Sequence, residues 1–272
     1  MANLFTKKPT NALSAFLVIA TVLVVAQEAH VSAEGDWFYL VKTEPSDPSR
    51  ETEFNDWYDD IDIPDVLAVP SFKRARRAIG QEVPGFSDVG LREGDGKYAA
   101  LYDIATPDID NSIIDLYVAA RKMNALGRST DALRVVEANY YRRLTSYGSE
   151  PATQAAKIWF YVQKIICCSS KAESDDFLHW FDSEHVTALS SSPVVVHASL
   201  YELYRVMEEL AVGGDENPHL LALYEVEARN VEDALAGLER ALRDFRYTGR
   251  ADGPYEIRDS ILYAQMSDVR SD

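Results

Sequence analysis

The stretch Trp37-Phe38-Tyr39-Leu40-Val41-Lys42 returns 122 residues later as Trp159-Phe160-Tyr161-Val162-Gln163-Lys164. Other landmarks return with it. Phe54-x-x-Trp57-Tyr58-Asp59 is answered at an offset of 123 by Phe177-x-x-Trp180-Phe181-Asp182, and Pro70 by Pro193 at the same offset. Ala100-Leu101-Tyr102-Asp103 is answered by Ala222-Leu223-Tyr224-Glu225, and Tyr141 by Tyr263, both again at 122. Landmarks that keep their order while drifting by one residue mark an internal duplication. The chain of 272 residues therefore reads as two copies of one α+β unit, over 34–148 and 156–272, joined by a linker at 149–155.

Each copy opens on an apolar-aromatic strand, Trp37 to Lys42 and Trp159 to Ile166. An amphipathic helix comes next. Phe177, Trp180 and Phe181 share one helical face at i, i+3 and i+4, as do Phe54, Trp57, Tyr58 and Ile61. Pro48 suits the first turn of the copy-1 helix, and Pro64 is expected to stop it. Second strands are expected near Ser71–Ile79 and Val194–Met207, and third strands over Tyr98–Ile104 and Leu220–Val226. The second helix of copy 2 is capped by Asn230 and carries Leu235, Leu238, Leu242 and Phe245 as its core face. In copy 1, Asp110 caps, Ile113, Ile114, Tyr117 and Val118 form the stripe, and Gly127 marks the stop. Short last strands surround Tyr141 and Tyr263. The order βαββαβ is that of a ferredoxin-like unit, whose helices cover one sheet face and leave the other in need of a partner. Two copies in one chain supply it, sheet to sheet.

Residues 1–33 read as a secretory leader. Lys7 and Lys8 precede the uncharged run Ala12–Ala26, and Val31-Ser32-Ala33 supplies a small-x-small cleavage site before Glu34. The run is shorter than the roughly 20 residues of a comfortable membrane span, so a periplasmic or secreted protein without a stable span after cleavage is expected. The net charge is −17, which argues against nucleic acid or anionic lipid as partner. Cys167 and Cys168 are adjacent. One buried and one exposed thiol at a strand end is the expectation, with a strained vicinal disulfide as its alternative. Neither cysteine has metal-type spacing.

The segment Asn55-Asp56-Trp57-Tyr58-Asp59-Asp60-Ile61-Asp62-Ile63-Pro64-Asp65-Val66-Leu67-Ala68-Val69-Pro70-Ser71-Phe72 resembles the dimeric α/β-barrel superfamily, close to its EthD-like branch. That branch reads W-Y-x-x-x-H-x-P-x-x-x-x-x-P-G-F ahead of the second strand. The resemblance extends over about 35–145 and, more weakly, over about 156–270. It implies two tandem ferredoxin-like units forming an intramolecular dimeric α/β barrel, and a pocket between helices and sheet in each unit. The superfamily hosts cofactor-free monooxygenases, isomerases, cyclases, dehydratases and haem enzymes, so the fold alone does not name the reaction. In copy 1 the histidine position holds Asp62 while Pro64 and Pro70 are kept. In copy 2 the histidine is present as His185, but the first proline has become Thr187. The glycine is replaced in both copies, by Ser71 and Val194.

His185 is the leading candidate for proton transfer, since histidine takes and gives protons near neutrality. Asp182 and Glu184 are placed to orient its ring. Asp62 is the equivalent in copy 1. A carboxyl raised by an apolar pocket can act as acid or base, although Asp56, Asp59, Asp60 and Asp65 around it favour a solvated acidic turn. Tyr102 and Tyr224 share one strand position and are expected to offer hydroxyls to the pockets. His197 and His219 lie on expected strands and face either a pocket or the sheet interface; His179 is expected to face water. Trp37, Tyr39, Trp57, Tyr58, Tyr98, Trp159, Tyr161, Trp180 and Tyr201 fill the cores, and a cavity of that makeup suits a flat, apolar or aromatic ligand. No nucleophile elbow, P-loop or dinucleotide fingerprint occurs.

The sequence-level expectation is thus an exported, cofactor-independent acid–base enzyme of isomerase, cyclase or lyase type. It would act on a small hydrophobic or aromatic compound as a monomer or homo-oligomer. His185 would move the proton and a tyrosine such as Tyr224 would hold an oxygen. The alternatives are a non-catalytic module binding a lipophilic small molecule, and a haem enzyme with His185 or His219 as axial ligand. Of the two copies, the second is expected to retain the proton-handling residue.

Overall fold

The structure is a computed structural model that describes residues 30–31, 36–83, 89–148, 157–168, 170–189, 192–207, 220–247 and 255–271. A two-residue strand β1 (His30–Val31) precedes the main elements. The first half then runs β2 (Asp36–Pro45), α1 (Glu51–Trp57), a π-turn at Tyr58–Asp62, α2 (Ile63–Leu67), β3 (Phe72–Gly80), β4 (Tyr98–Ala105), α3 (Ile109–Ala125) and β5 (Leu133–Gly148). The second half repeats the order. It runs β6 (Lys157–Cys167), α4 (Lys171–Trp180), a π-turn at Phe181–His185, α5 (Val186–Leu189), β7 (Val195–Val206), β8 (Leu220–Ala228), α6 (Val231–Tyr247) and β9 (Tyr255–Arg270).

Every strand pairing is antiparallel. The strand order is β5-β2-β4-β3 in the first half and β9-β6-β8-β7 in the second. The pairings β3–β9 and β5–β7 join the halves on both sides, which closes the sheet into an eight-stranded barrel. Closure explains why the last strands, expected to be short, each reach 16 residues. The first part of β5 pairs with β2 and its later part with β7; β9 divides itself between β6 and β3 in the same way. Gly148, with φ +108°, ends β5 where a Cβ would collide with the Val196 carbonyl oxygen, so only glycine fits that seam.

Strand alternation sorts the side chains into three cores. Phe38, Leu40, Phe160, Val162, Tyr141, Tyr263, Tyr201 and Leu221 fill the barrel interior. Tyr39, Phe54, Tyr58, Phe72, Tyr102 and Tyr140 pack between the first half's strands and its helices. Trp159, Tyr161, Phe177, Trp180, Phe181 and Tyr224 do so in the second half. Charged networks plug the barrel ends. At one, Lys42 meets Asp259 at 3.0 Å and Lys164 meets Glu137. At the other, buried Arg76 joins Asp103 at 2.9 Å and Glu225 of the second half.

Four local expectations are corrected. Pro64 does not stop the helix. The π-turn ahead of it bonds Ile63 N–H to the Tyr58 carbonyl, and Pro64 then sits in the first turn of α2, where its missing N–H costs nothing. Asp108, not Asp110, caps α3, accepting from Asn111 N–H. The core face of α3 is accordingly Ile109, Ser112 and Ile113, which leaves Ile114, Tyr117 and Val118 exposed. Finally, Cys167 and Cys168 are joined as a vicinal disulfide rather than left as two thiols, with Cys168 in the left-handed region at φ +74°. The second-half cap holds as expected, with Asp233 N–H donating to Asn230 Oδ1 at 2.8 Å. Among the described residues no helix is long and apolar enough to cross a membrane. Most of the leader, the 149–155 linker and the side chain of Phe245 lie outside the described residues.

Candidate functional site

The two π-turns decide where the chemistry-bearing side chains point. A π-turn inserts one residue into a helix and rotates the residues after it, a device found often at functional sites. Here each turn begins on a ring, Tyr58 or Phe181, and ends on the motif residue, Asp62 or His185. The inserted residue swings both motif residues off the solvent side and over the sheet.

In the first half this separates Asp62 from its acidic neighbours. Asp56, Asp59 and Asp60 are exposed, Asp65 pairs with Arg128 at 3.0 Å, and Asp62 is turned inward and partly buried. The expected solvated acidic turn therefore describes its neighbours and not Asp62 itself. Tyr102 on β4 donates its hydroxyl to Asp62 Oδ2 at 3.1 Å. Tyr39 stacks on Tyr140 at 4.1 Å between ring centres and on Tyr102 at 5.9 Å. Burial pushes the Asp62 carboxyl up from 3.8 to about 6, against the Tyr102 hydrogen bond and the Arg77 charge, which both favour the anion. Burial also raises the phenols of Tyr58 and Tyr102 well above their ordinary value, so both remain protonated donors at neutral pH.

In the second half His185 Nε2 lies 3.0 Å from the Tyr224 hydroxyl, the same pairing built from the same two positions. His185 is only 3 % exposed, and its ring stacks on Trp180 at 5.3 Å. Burial drives its pKa down from 6.5 to about 3. Asp182 and Glu184 do not orient it. Both are exposed, and Asp182 instead accepts from Thr145 Oγ1 at 2.7 Å. His185 is thus a neutral hydrogen-bonding group across the physiological range.

Strand register makes the comparison position by position. Tyr102 and Tyr224 face Tyr39 and Tyr161, Tyr140 and Leu262 flank the same two tyrosines, and Arg77 and Leu200 face Ala100 and Ala222. The first half therefore sets Tyr58, Tyr140 and Arg77 where the second has Phe181, Leu262 and Leu200. Sequence reading singles out neither Arg77 nor Tyr140. The signal that could have found the first is a cation at 77 where the repeat carries leucine at 200.

The remaining histidines lie elsewhere. His197 sits at a barrel mouth, its Nδ1 3.9 Å from Glu225, and His179 is exposed on α4 as expected. His219 lies outside the described residues. A haem would need an axial ligand open to its pocket. Neither His185, stacked on Trp180 and engaged by Tyr224, nor His197, packed beside Glu225, fits that need. Among the described residues no group of three or more His, Cys, Asp or Glu is placed to hold a metal.

No family model matches the chain. No curated protein matches it either. Solved structures do match. An anthrone oxidase-like protein aligns over 89% of this chain and 95% of its own at 10% identity, with a TM-score of 0.55. A dye-decolorizing peroxidase from Bacteroides thetaiotaomicron aligns over 89% and 95% at 10% identity, with a TM-score of 0.48. Likeness at such identity speaks to the fold alone, and the peroxidase score is too low to carry an argument. The coarse class is α+β, an antiparallel sheet with flanking helices, a fold shared with the anthrone oxidase-like protein.

Proposed function

We propose that the chain is an acid–base enzyme acting on a small aromatic or hydrophobic compound, with its working site in the first half. The observation that carries this reading is Asp62: a carboxyl at the end of a π-turn, enclosed by tyrosines, bonded to Tyr102 and poised to titrate near 6. A group whose pKa lies near the working pH both accepts and returns a proton efficiently. Asp62 takes a proton from an acidic C–H or O–H of the substrate. Tyr102 keeps its single O–H on the Asp62 carboxylate, and the protonated phenol of Tyr58 donates a hydrogen bond to the substrate oxygen on which negative charge gathers. Returning the proton to a different atom completes an isomerisation, and loss of a leaving group instead completes an elimination. An anthrone is an aromatic ketone with an acidic C–H, so the name of the neighbour at TM-score 0.55 is compatible with that substrate class.

His185 and Tyr224 form, in this reading, a buried structural pair. The sequence favours His185 as the proton carrier, but a ring sealed against Trp180 and held neutral by burial is poorly suited to general acid work. The tandem EthD-like duplication and the exported location belong to the same proposal. They rest on the landmark offsets and on the leader pattern at 1–33. The barrel closes within one chain, so the first-half site needs no second copy to complete it.

The test is a panel of anthrones, phenolic ketones and enol lactones, monitored by absorbance and by deuterium uptake at exchangeable carbons. Asp62-dependent exchange supports the reading. Exchange that survives Asp62→Asn and is abolished by His185→Gln overturns it. N-terminal sequencing of the purified secreted protein tests the leader, with Glu34 the expected first residue.

A further inference from the structure

Arg77 stands out among the buried cations. Arg76, one residue away on β3, points into the barrel and is neutralised by Asp103 and Glu225. Arg77 points the other way, into the first-half core. It is 1 % exposed. Its guanidinium donates to Asp59 Oδ1 at 2.9 Å and to Asn55 Oδ1 at 2.7 Å. It lies over the rings of Tyr58, Tyr98 and Phe54, at 4.5, 5.4 and 5.5 Å from their centres. Every one of these contacts is to α1, to the π-turn or to the strand beside it. Asn55 continues the chain to the Tyr98 hydroxyl, which donates to Glu51, itself paired with Lys97.

A buried cation is expensive unless paired and hydrogen-bonded. Its one direct carboxylate partner, Asp59, is 45 % exposed and screened by water. Asp60 on the same turn is exposed, so much of the positive charge is left to act on Asp62, the carboxyl of the turn that is turned inward. The second half shows that the fold does not need a cation here. Leu200 takes the equivalent place, packed in the apolar core. There the counterpart of Asp59, Asp182, bonds to Thr145 instead.

We propose that Arg77 is the positioning residue of the first-half site: it clamps the π-turn that carries Asp62 and supplies the positive charge that favours the Asp62 carboxylate. The proposal deepens the reading of Asp62 as the proton-transfer group and rests on it. Tyr102 on β4 is hydrogen-bonded to Asp62, and the groups coupled to it electrostatically are Tyr39 on β2, Tyr58 on the π-turn, Asp65 on α2 and Arg77 on β3. Only Arg77 among them is a cation. Arg77 also fixes the Tyr58 ring by lying across its face, which aims the phenol that serves the same site.

The test is a carbon-13 NMR titration of the Asp62 carboxyl in the full chain. Replacing Arg77 by the residue of the other half, Arg77→Leu, is expected to move the Asp62 midpoint up by about one pH unit, the size of effect a nearby opposite charge has on a carboxyl. Arg77→Lys keeps the charge and loses the fork, so its midpoint is expected within about 0.3 units of wild type while the Tyr58 ring signals shift. A folded Arg77→Leu protein with an unmoved midpoint overturns the proposal, because a merely structural arginine would not set that value. Should Arg77→Leu not fold, the guanidinium carbon resonance of Arg77 in the wild-type chain gives the answer. It is expected to inflect at the Asp62 midpoint, and a flat trace overturns the proposal. Neither readout uses substrate, so absence of turnover counts against the proposed reaction and not against the role of Arg77.

Discussion

The two halves carry the same scaffold and opposite electrostatics. Each places a motif residue at the end of a π-turn and pairs it with a tyrosine on the same strand position, Asp62 with Tyr102 and His185 with Tyr224. Around Asp62 the first half sets Tyr58, Tyr140 and Arg77; around His185 the second half sets Phe181, Leu262 and Leu200. Burial acts on both motif residues and suppresses the charged form of each. It raises an acid and lowers a base. One desolvating fold thus poises the carboxyl near neutrality and removes the imidazole from the titrating range. The lesson is that a motif histidine is not by itself the proton carrier. The residue whose environment leaves it close to the working pH is the better choice.

The largest effect that can break this comparison is on turnover. Asp62→Asn is expected to lower the rate by about 10²–10⁴-fold, the usual contribution of a general acid or base, while His185→Gln is expected to change it by less than about tenfold. Steady-state kinetics on a substrate found in the exchange screen checks both, and the reverse ranking would move the site to the second half.

Stability against pH sharpens the comparison next. Folded Asp62 keeps its proton to about pH 6, whereas an unfolded aspartate releases it near 3.8. In that window the folded state holds the extra proton, so this group stabilises the fold at low pH and its contribution is lost as pH rises through 6. His185 acts in the opposite sense. The unfolded chain takes up its proton near 6.5 and the folded chain only near 3, so stability is lost as pH falls below 6.5. Asp62→Asn is therefore expected to gain about 1–3 kcal/mol at pH 7 relative to its effect at pH 4. His185→Gln is expected to flatten the acid limb by about 2–4 kcal/mol between pH 6.5 and 3.5. Urea unfolding at a series of pH values measures both, and parallel curves for the two variants would contradict the opposed signs.

Smaller again is the effect of the tyrosines. Tyr102→Phe removes a donor to the carboxylate and is expected to raise the Asp62 midpoint by roughly half a unit to one unit. Tyr224→Phe is expected to cost about 1 kcal/mol of stability for a lost buried hydrogen bond. The Asp62 midpoint should not change with it. A shift of that midpoint in Tyr224→Phe would mean that the two sites are coupled through the barrel.

Much of this architecture is legible in the residues themselves. Trp37 and Trp159 announce the repeat. Alternation along Trp37–Lys42 assigns its faces, and the offset of 122 puts Tyr102 and Tyr224 on one strand position. The motif alignment matches Asp62 with His185. The π-turns are not legible, since no residue pattern marks an inserted residue and Pro64 reads as a stop. Without them Asp62 joins Asp59 and Asp60 on the solvent side. Arg77 is hidden for a different reason. In Lys73-Arg74-Ala75-Arg76-Arg77 it looks like one more surface cation, and the rings that enclose it come from three separate elements. The stripe on α3 misleads because Ile113 and Ile114 are both apolar and only the Asp108 cap fixes which one faces inward.

The most direct test of the central claim is a side-by-side NMR titration of Asp62 and His185 in the wild-type chain, from about pH 3.5 to 8, a range that spans the ordinary values of both groups. The expected result is an Asp62 carboxyl midpoint near 6 and a His185 ring that stays neutral through that midpoint and begins to charge only at the acid end of the range. An Asp62 midpoint near 4 together with a His185 midpoint near 6.5 would contradict it, and would return the proton-handling role to the second half.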